Sequence, residues 1–382
     1  MPLKVLFVDQ SGQLGGAELS LVDIASAYRA NGEVVLFEDG PFREILESNN
    51  ILVSVLNSGN TLSAVRRESG GGLGVKALPS VALLALKLAI KARHFDVLYP
   101  NTQKAMVVAA IAGLLARRPV IWHLRDILSR EHFSAPVRRI VVLICNYLVA
   151  RIIANSRASA EAFVEAGGDI RKVRVIHDGL DTALFILNAS EGRPELRQEL
   201  AGNSPLVGVF SRLSPWKGQE VLLRALVNLP KVHAFIVGEA MFGEHEYGQR
   251  VRALAQDLGV EDRAHFLGFR SDIPQLMRTV DIVLHTSTAA EPLGRVIVEG
   301  MLANRPVIAT AAGGALEIID DGLTGLFVPP GEPAALTEAI TRLLDSPGLS
   351  DRLGRDGQAR AKENFDTSFM LVRLQSEIEA VL

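Results

Sequence analysis

The sequence contains a single cysteine, Cys145, so an intrachain disulfide is excluded. Cys145 ends the apolar run from Ile140 and is expected to be a small buried apolar residue, in a chain suited to a reducing cytoplasm. No stretch reaches the roughly 18 uninterrupted apolar residues of a membrane span. Lys87 interrupts the run 78–90, and Asn146 and Arg151 interrupt 140–153, so a spanning helix is not expected. The N-terminus leads directly into the apolar run 4–8 without a signal-peptide pattern. Asp-x-Asp is absent, which speaks against a metal-bridged diphosphate. There is no His-Glu-x-x-His zinc pattern, no Gly-Lys-Ser/Thr phosphate loop and no signal for a pyridoxal lysine. Glu244-His245-Glu246 groups three potential ligands, but adjacent polar residues ahead of a helix are expected to be solvated. No metal, cofactor or nucleic-acid partner is expected.

What is present describes an ordinary globular protein. Hydrophobic residues make up 48% and charged residues 22% of 382 residues, enough chain for two or three domains with sizeable cores. Short apolar runs at 4–8, 33–37, 51–56, 95–99, 119–124, 152–155 and 173–176 read as strands. They alternate with helical patterns at 16–30, 79–93, 103–116, 136–150 and 157–166. A second strand series follows near 206–210, 232–237, 264–267, 281–285 and 306–309. This alternation predicts an α/β chain with two Rossmann-like, doubly wound domains and a ligand cleft between the carboxyl ends of their strands. The boundaries read as a first domain over 1–185, a linker over 186–204, a second domain over 205–365 and a final helix over 366–382.

The stretch Glu291-Pro292-Leu293-Gly294-Arg295-Val296-Ile297-Val298-Glu299 carries the most chemistry. Pro292 suits a first helical turn, which puts Glu291 just before a helix and Glu299 inside it. Unpaired backbone N–H groups near Gly294, Arg295 and Val296, at the positive end of the helix dipole, suit a diphosphate. Glu291 could then accept hydrogen bonds from sugar hydroxyls, while Glu299, about 7–8 Å along the axis, reaches a ribose. Ser211-Arg212-Leu213-Ser214-Pro215-Trp216-Lys217-Gly218 follows a strand-like run and places two cations, Arg212 and Lys217, at a strand-to-helix turn. In the first half, Gly12, Gly15 and Gly16 lie on a loop after the first strand, where a tight turn at positive φ or close approach to a ligand would call for glycine. His123 ends the strand-like run from Val120 and would face the cleft.

With these motifs the chain resembles the GT-B glycosyltransferases, specifically the retaining family 4 (group 1), whose mark is Glu-x7-Glu preceded by an Arg and a Lys. The resemblance extends through Gly15-Gly16-Ala17-Glu18, Trp122-His123, Ala154-Asn155-Ser156 and 175–181, then Leu267-Gly268-Phe269-Arg270, Gly313-Gly314-Ala315-Leu316-Glu317 and Asp321-Gly322-Leu323-Thr324-Gly325. It implies that Gly15 and Gly16 touch the donor phosphates or the acceptor, and that His123 contacts the donor sugar near its reacting carbon. It also implies that the final helix crosses back onto the first domain. The base is expected near Phe269 and Arg270, with the donor either a UDP-sugar or a GDP-sugar.

The implied reaction moves a sugar from a nucleotide-diphosphate sugar to a hydroxyl acceptor, in polysaccharide, lipopolysaccharide or glycolipid assembly. Charge builds on the departing diphosphate, where Arg212, Lys217 and the helix N-terminus can offset it without a metal. The family is held to retain configuration by attack from the face the diphosphate leaves, with Glu291 orienting the sugar. Leu293 stands where the family often has Phe, Ser211 where it has Gly, and His177-Asp178-Gly179 where it has Asn-Gly. A GT-B-fold epimerase and a non-catalytic nucleotide-sugar binder are the alternatives.

Charge distribution adds a further expectation. Between Leu62 and Arg157 there are fifteen Lys and Arg against four Asp and Glu, a local +11 in a chain of net −3. These positives are either solvated helix faces or one wall meeting an anion, either a lipid-linked diphosphate acceptor or an anionic membrane surface reached from the cytoplasmic side; the partners expected are the donor and a carbohydrate or lipid-linked acceptor. Arg125, close to His123, is the candidate acceptor-phosphate contact. The Gly70-Gly71-Gly72 loop and the apolar helix 78–90 are the candidate contact elements.

Overall fold

The computed structural model describes residues 3–57, 78–130, 133–189, 191–241 and 243–382. The Gly70-Gly71-Gly72 loop lies outside the described residues, as do Arg66, Arg67, Glu68, Lys76 and Glu131. The chain divides into two units, Met1–Leu180 with Thr367–Leu382, and Asp181–Asp366.

In the first unit the strands β1 (Val5–Asp9), β2 (Gly32–Leu36), β3 (Val53–Val55) and β4 (Val97–Pro100) pair in parallel in the order β3-β2-β1-β4. β5 (Ile121–Leu124), β6 (Arg151–Ala154) and β7 (Val173–Val175) continue them through a parallel bridge between Leu98 and Val120. Both faces of this sheet are covered, which is why its strands read as continuous apolar runs. Leu6 and Val8 of β1 pack into one core with the helices Leu78–Ala92, Gln103–Ala116 and Ala135–Leu148. Val5 and Phe7 point the other way, to the helices Gly16–Ser26 and Pro41–Ser48. Met370, Leu374 and Ile378 of the helix Thr367–Glu379 join that second core, and Glu377 of the same helix lies 3.0 Å from Arg151.

The second unit is a six-stranded parallel sheet of β8 (Leu206–Phe210), β9 (His233–Val237), β10 (Ala264–Gly268), β11 (Ile282–His285), β12 (Val307–Thr310) and β13 (Leu326–Val328). Its order, β10-β9-β8-β11-β12-β13, reverses direction between β8 and β11. Such a reversal marks the location where open α/β sheets bind ligands. β13 was not foreseen: three residues of strand beside Gly325 carry too little periodicity to be read. The expected linker is mostly helical. Asp181 caps the helix Thr182–Asn188 by accepting from the Leu184 N–H, and Pro194 opens the helix Pro194–Leu200. Arg197 ties the latter to Asp281 at 2.9 Å, so this segment packs as part of the second unit.

Candidate active site

Because all strands of each sheet are parallel, their carboxyl ends lie along one edge, and the loops carrying the motifs leave from there. After β8 the chain forms a turn of 3-10 helix, Pro215–Lys217, that ends at Gly218 with φ +70°. A Cβ at Gly218 would collide with the Thr286 carbonyl, so only glycine lets this turn close onto the loop after β11. The two loops are joined directly: Thr286 Oγ1 donates to the Lys217 carbonyl at 2.9 Å, and the Thr288 N–H donates to the Trp216 carbonyl at 2.8 Å.

Glu291 is the centre of this junction. It is only 6% exposed, and its Oε1 accepts from Lys217 Nζ at 2.8 Å, from His285 Nε2 at 2.9 Å and from Ser287 Oγ. Donation from Nε2 leaves His285 Nδ1 to accept from Thr310 Oγ1, 3.3 Å away at the end of β12. Burial alone would raise the Glu291 carboxyl, but the Lys217 charge and the contact with His285 outweigh it and hold the group well below the usual carboxylate range. It is therefore ionised at neutral pH. Its backbone is fixed as well, with the Gly314 N–H donating to the Glu291 carbonyl at 2.8 Å. All three side-chain bonds use Oε1, leaving Oε2 unengaged among the described residues.

The helix after Glu291 runs from Arg295 to Leu302, with Gly294 as its N-cap at φ +92°. Pro292 thus lies ahead of the helix rather than in its first turn, because the left-handed Gly294 turns the chain before helical geometry begins. The Arg295 and Val296 N–H groups open this helix. Glu299 sits in its second turn, and Arg295 Nε donates to its Oε1 at 2.9 Å, so these two expected donor contacts are partners of one another. Arg212 and Lys217 both lie over the Trp216 indole, at 5.6 and 4.3 Å from the ring centre. Glu244, with Ser214 Oγ donating to it at 2.8 Å, lies 3.8 Å from Arg212. Phe269 and Arg270 follow β10, two strands from β8. Phe269 is 63% exposed, whereas Arg270 is clamped to Asp272 through two bonds of 2.8 and 2.7 Å.

In the first unit, β5 ends in a buried polar cluster. His123 Nδ1 accepts from Tyr99 Oη at 2.6 Å and from Arg125 at 3.0 Å, which requires the neutral Nε2–H tautomer. Nε2 lies 3.4 Å from Asp178 Oδ1. Burial first, then the Arg125 charge, push the His123 pKa down to about 3 against the opposing pull of Asp178, so the ring is uncharged at neutral pH. Arg125, expected to meet an acceptor phosphate, is instead buried with its guanidinium 2.6 Å from Asp178. A desolvated guanidinium needs a fixed carboxylate, and Asp178 supplies it. Gly15 and Gly16 lie at the start of the helix after β1, and neither has a positive φ. A Cβ at Gly16 would meet nothing within 4 Å, whereas one at Gly15 would lie 2.7 Å from the Glu18 carboxylate and one at Gly12 would collide with the Asp39 carbonyl, so in this loop close backbone approach at Gly12, rather than positive φ, calls for glycine. Below it, Asp9 accepts from Asn101 at 2.7 Å, and burial raises the carboxyl to about 6. Glu18 is pushed up to about 8 by burial and then by Asp9. Among the described residues, no group of three His, Cys, Asp or Glu side chains is disposed to hold a metal.

The sequence pattern of the family Glycosyltransferase Family 4 matches residues 14–184, and that of Glycosyl transferases group 1 matches 193–360. The crystal structure of Anabaena Alr3699/HepE in complex with UDP and glucose is 43% identical, covers 99% of both chains and superposes with a TM-score of 0.89. The chain belongs to the group 1, family 4 glycosyltransferases of GT-B fold. HepE was also solved in complex with UDP-glucose. The human alpha-1,3/1,6-mannosyltransferase ALG2 is 27% identical over 99% of this chain and 96% of its own. The lipopolysaccharide core biosynthesis glycosyltransferase LpsE of Rhizobium meliloti is 29% identical over 54% of this chain. The chain spans only 57% of LpsE, and less than two thirds of other curated relatives as well.

Of the residues that meet at this junction of the glycosyltransferase, sequence reasoning named Lys217 and Glu291 but not His285, Ser287 and Thr310. A signal existed for His285, which ends a strand-like run just as His123 does. Ser287 and Thr310 offered none, since a hydroxyl after a strand is ordinary. Asp178 was read as a departure from Asn-Gly, yet it is the carboxylate that holds both Arg125 and His123.

Proposed function

We propose that the chain transfers a hexosyl group from UDP-glucose or a similar UDP-sugar to a hydroxyl acceptor, without a metal and with retention of anomeric configuration. The observation carrying this reading is the junction of Lys217, Glu291 and the N-terminus of the helix Arg295–Leu302. A diphosphate seated at that N-terminus meets backbone N–H groups, the positive end of the helix dipole and the Lys217 and Arg212 charges. These groups stabilise charge as it builds on the leaving group and need no proton donor. Glu291, ionised and with Oε2 unengaged, accepts hydrogen bonds from the donor sugar and fixes its orientation. Gly294, Arg295 and Val296 hold the diphosphate, Glu299 the ribose, and the backbone near Phe269 and Arg270 the base.

His123 is an uncharged ring, and Arg125 acts as a positioning residue through Asp178. Gly15 and Gly16 leave room for the phosphates or the acceptor. Uridine is favoured over guanosine by the UDP-glucose bound to HepE, which is 43% identical over 99% of this chain. The likeness to the lipopolysaccharide core biosynthesis glycosyltransferase LpsE supports a saccharide acceptor in lipopolysaccharide or polysaccharide assembly. Melting the full chain with UDP-glucose, GDP-mannose and neither tests the donor, since a ligand bound only to the native state raises Tm. A shift with UDP-glucose alone is expected, and equal shifts would remove the base preference. Proton NMR of the first glycosylated product tests retention, which an inverted anomeric configuration would overturn.

A further inference from the structure

The helices Leu78–Ala92, Gln103–Ala116 and Ala135–Leu148 connect successive strands β3 to β6 and lie side by side over one face of the first unit's sheet. Their inner sides fill the core. Their outer sides are not the polar surface a globular protein normally turns to water. On the first helix Leu83, Leu86 and Ile90 are 55, 51 and 57% exposed, with the spacing of three and four residues that places side chains on one face. The third helix repeats the spacing with Ile140, Leu143 and Tyr147, the last two 59 and 78% exposed. Between them, the middle helix exposes Leu114 and Leu115 at its end.

Charge on this face has one sign. None of the three helices contains an Asp or Glu, while Lys87, Arg93, Arg117 and Arg139 are exposed on them or at their ends. Exposed apolar side chains interspersed with cations, on three helices that carry no acid, match the interfacial region of an anionic bilayer, where leucines enter the acyl boundary and Lys and Arg meet phosphates. At 15 residues, Leu78–Ala92 is too short to cross a bilayer and is suited to lie along it. A second copy of the chain is a poor occupant, because two such faces would oppose like charges.

We infer that this three-helix face docks the protein reversibly on a membrane rich in anionic lipid, independently of donor binding in the other unit. Part of the +11 read from the sequence takes no part. Lys91 pairs with Glu33 at 2.6 Å, Arg151 with Glu377 and Arg125 with Asp178. The docking surface is defined by where apolar exposure and exposed charge coincide, not by the total.

The test is vesicle flotation of the full chain with phosphatidylcholine alone and with an equal mixture of phosphatidylcholine and phosphatidylglycerol, at low and high salt. Recovery with the anionic vesicles should exceed that with neutral ones by about tenfold at low salt and fall at high salt as charges are screened. The double variant Leu86→Gln/Leu143→Gln should lose apolar insertion and Lys87→Gln/Arg139→Gln the lipid selectivity, both keeping the wild-type melting temperature because these side chains are exposed. Tyr147→Trp supplies a second reading: brominated lipid should quench its emission only in anionic vesicles. Equal recovery from both vesicle types, unchanged binding by the substituted chains, or an unquenched Trp would overturn the inference. So would a dimer, seen by sedimentation velocity, that dissociates on the same substitutions.

Discussion

Lys217 Nζ and Glu291 Oε1 lie 2.8 Å apart although 74 residues separate them in the chain. The first stands on the turn after β8 and the second on the loop after β11, the two strands at which the sheet order reverses. The pair is only slightly exposed, at 15% and 8% of the side chains. A buried ion pair of this kind costs more to break from one side than to replace as a whole. Removing Lys217 therefore leaves Glu291 to His285 and Ser287 alone and, on the proposed reading, withdraws a charge from the diphosphate.

Lys217→Ala should lower donor turnover, read as UDP release, by 10²–10³-fold, about 3–4 kcal/mol of barrier. Because Glu291 would lose its strongest opposing charge, the carboxyl pKa should rise and part of the loss should recover at higher pH. Activity within twofold of wild type at every pH would take Lys217 out of the chemistry.

Glu291→Gln and Glu299→Gln should separate by kinetic parameter. An uncharged amide at 291 keeps much of the packing but cannot accept the Lys217 and His285 bonds as a carboxylate does, so kcat should fall more than donor affinity. At 299 the proposed ribose contact would be made in ground and transition states alike, so KM should rise with kcat largely unchanged. Arg295→Ala should tighten donor binding modestly if its 2.9 Å bond to Glu299 competes with the ribose. A donor affinity that falls only in the Glu291 variant would reverse the assignment.

Asp178→Asn should destabilise the first unit by about 3–5 kcal/mol, because it strands the Arg125 guanidinium in a buried site. His123, held at about 3 against an ordinary 6.5, binds no proton in the native state over that range, whereas the unfolded chain does. Its contribution to stability is thus present above 6.5 and is lost as pH falls from 6.5 toward 3. A His123→Gln variant should flatten that part of the Tm profile; an unchanged acid limb would refute the burial argument.

Glu18 works in the opposite direction. Its carboxyl rises from 4.5 to about 8 on folding, so the native state holds a proton that the unfolded chain has released. That contribution is fully present below 4.5 and is lost as pH rises to about 8. Glu18→Gln mimics the protonated acid, so its Tm relative to wild type should climb over this window and level off above it. A Tm difference independent of pH would show that Glu18 is ionised in the fold.

The sequence by itself determined the strand-helix alternation, because strands buried on both faces must be apolar throughout and their crossover helices must not be. It also displayed the charged pattern after β8 and β11, where Arg212, Lys217, Glu291 and Glu299 occur in the order and spacing that carry the family resemblance. Tertiary structure decided which of these meet. Glu291 shares one oxygen among Lys217, His285 and Ser287 because the sheet brings loops distant in sequence to one edge, a relationship that neither periodicity nor spacing encodes. It likewise decided that Arg125 is buried: a cation two residues after His123 reads as a ligand contact until β7 is followed to Asp178, which claims it. The basic segment divides the same way. Its charge could be counted in the chain, but whether a cation is paired with Glu33 or Glu377, or stands exposed beside Leu86 and Leu143, depends on which side of a helix faces the core, and only packing fixes that.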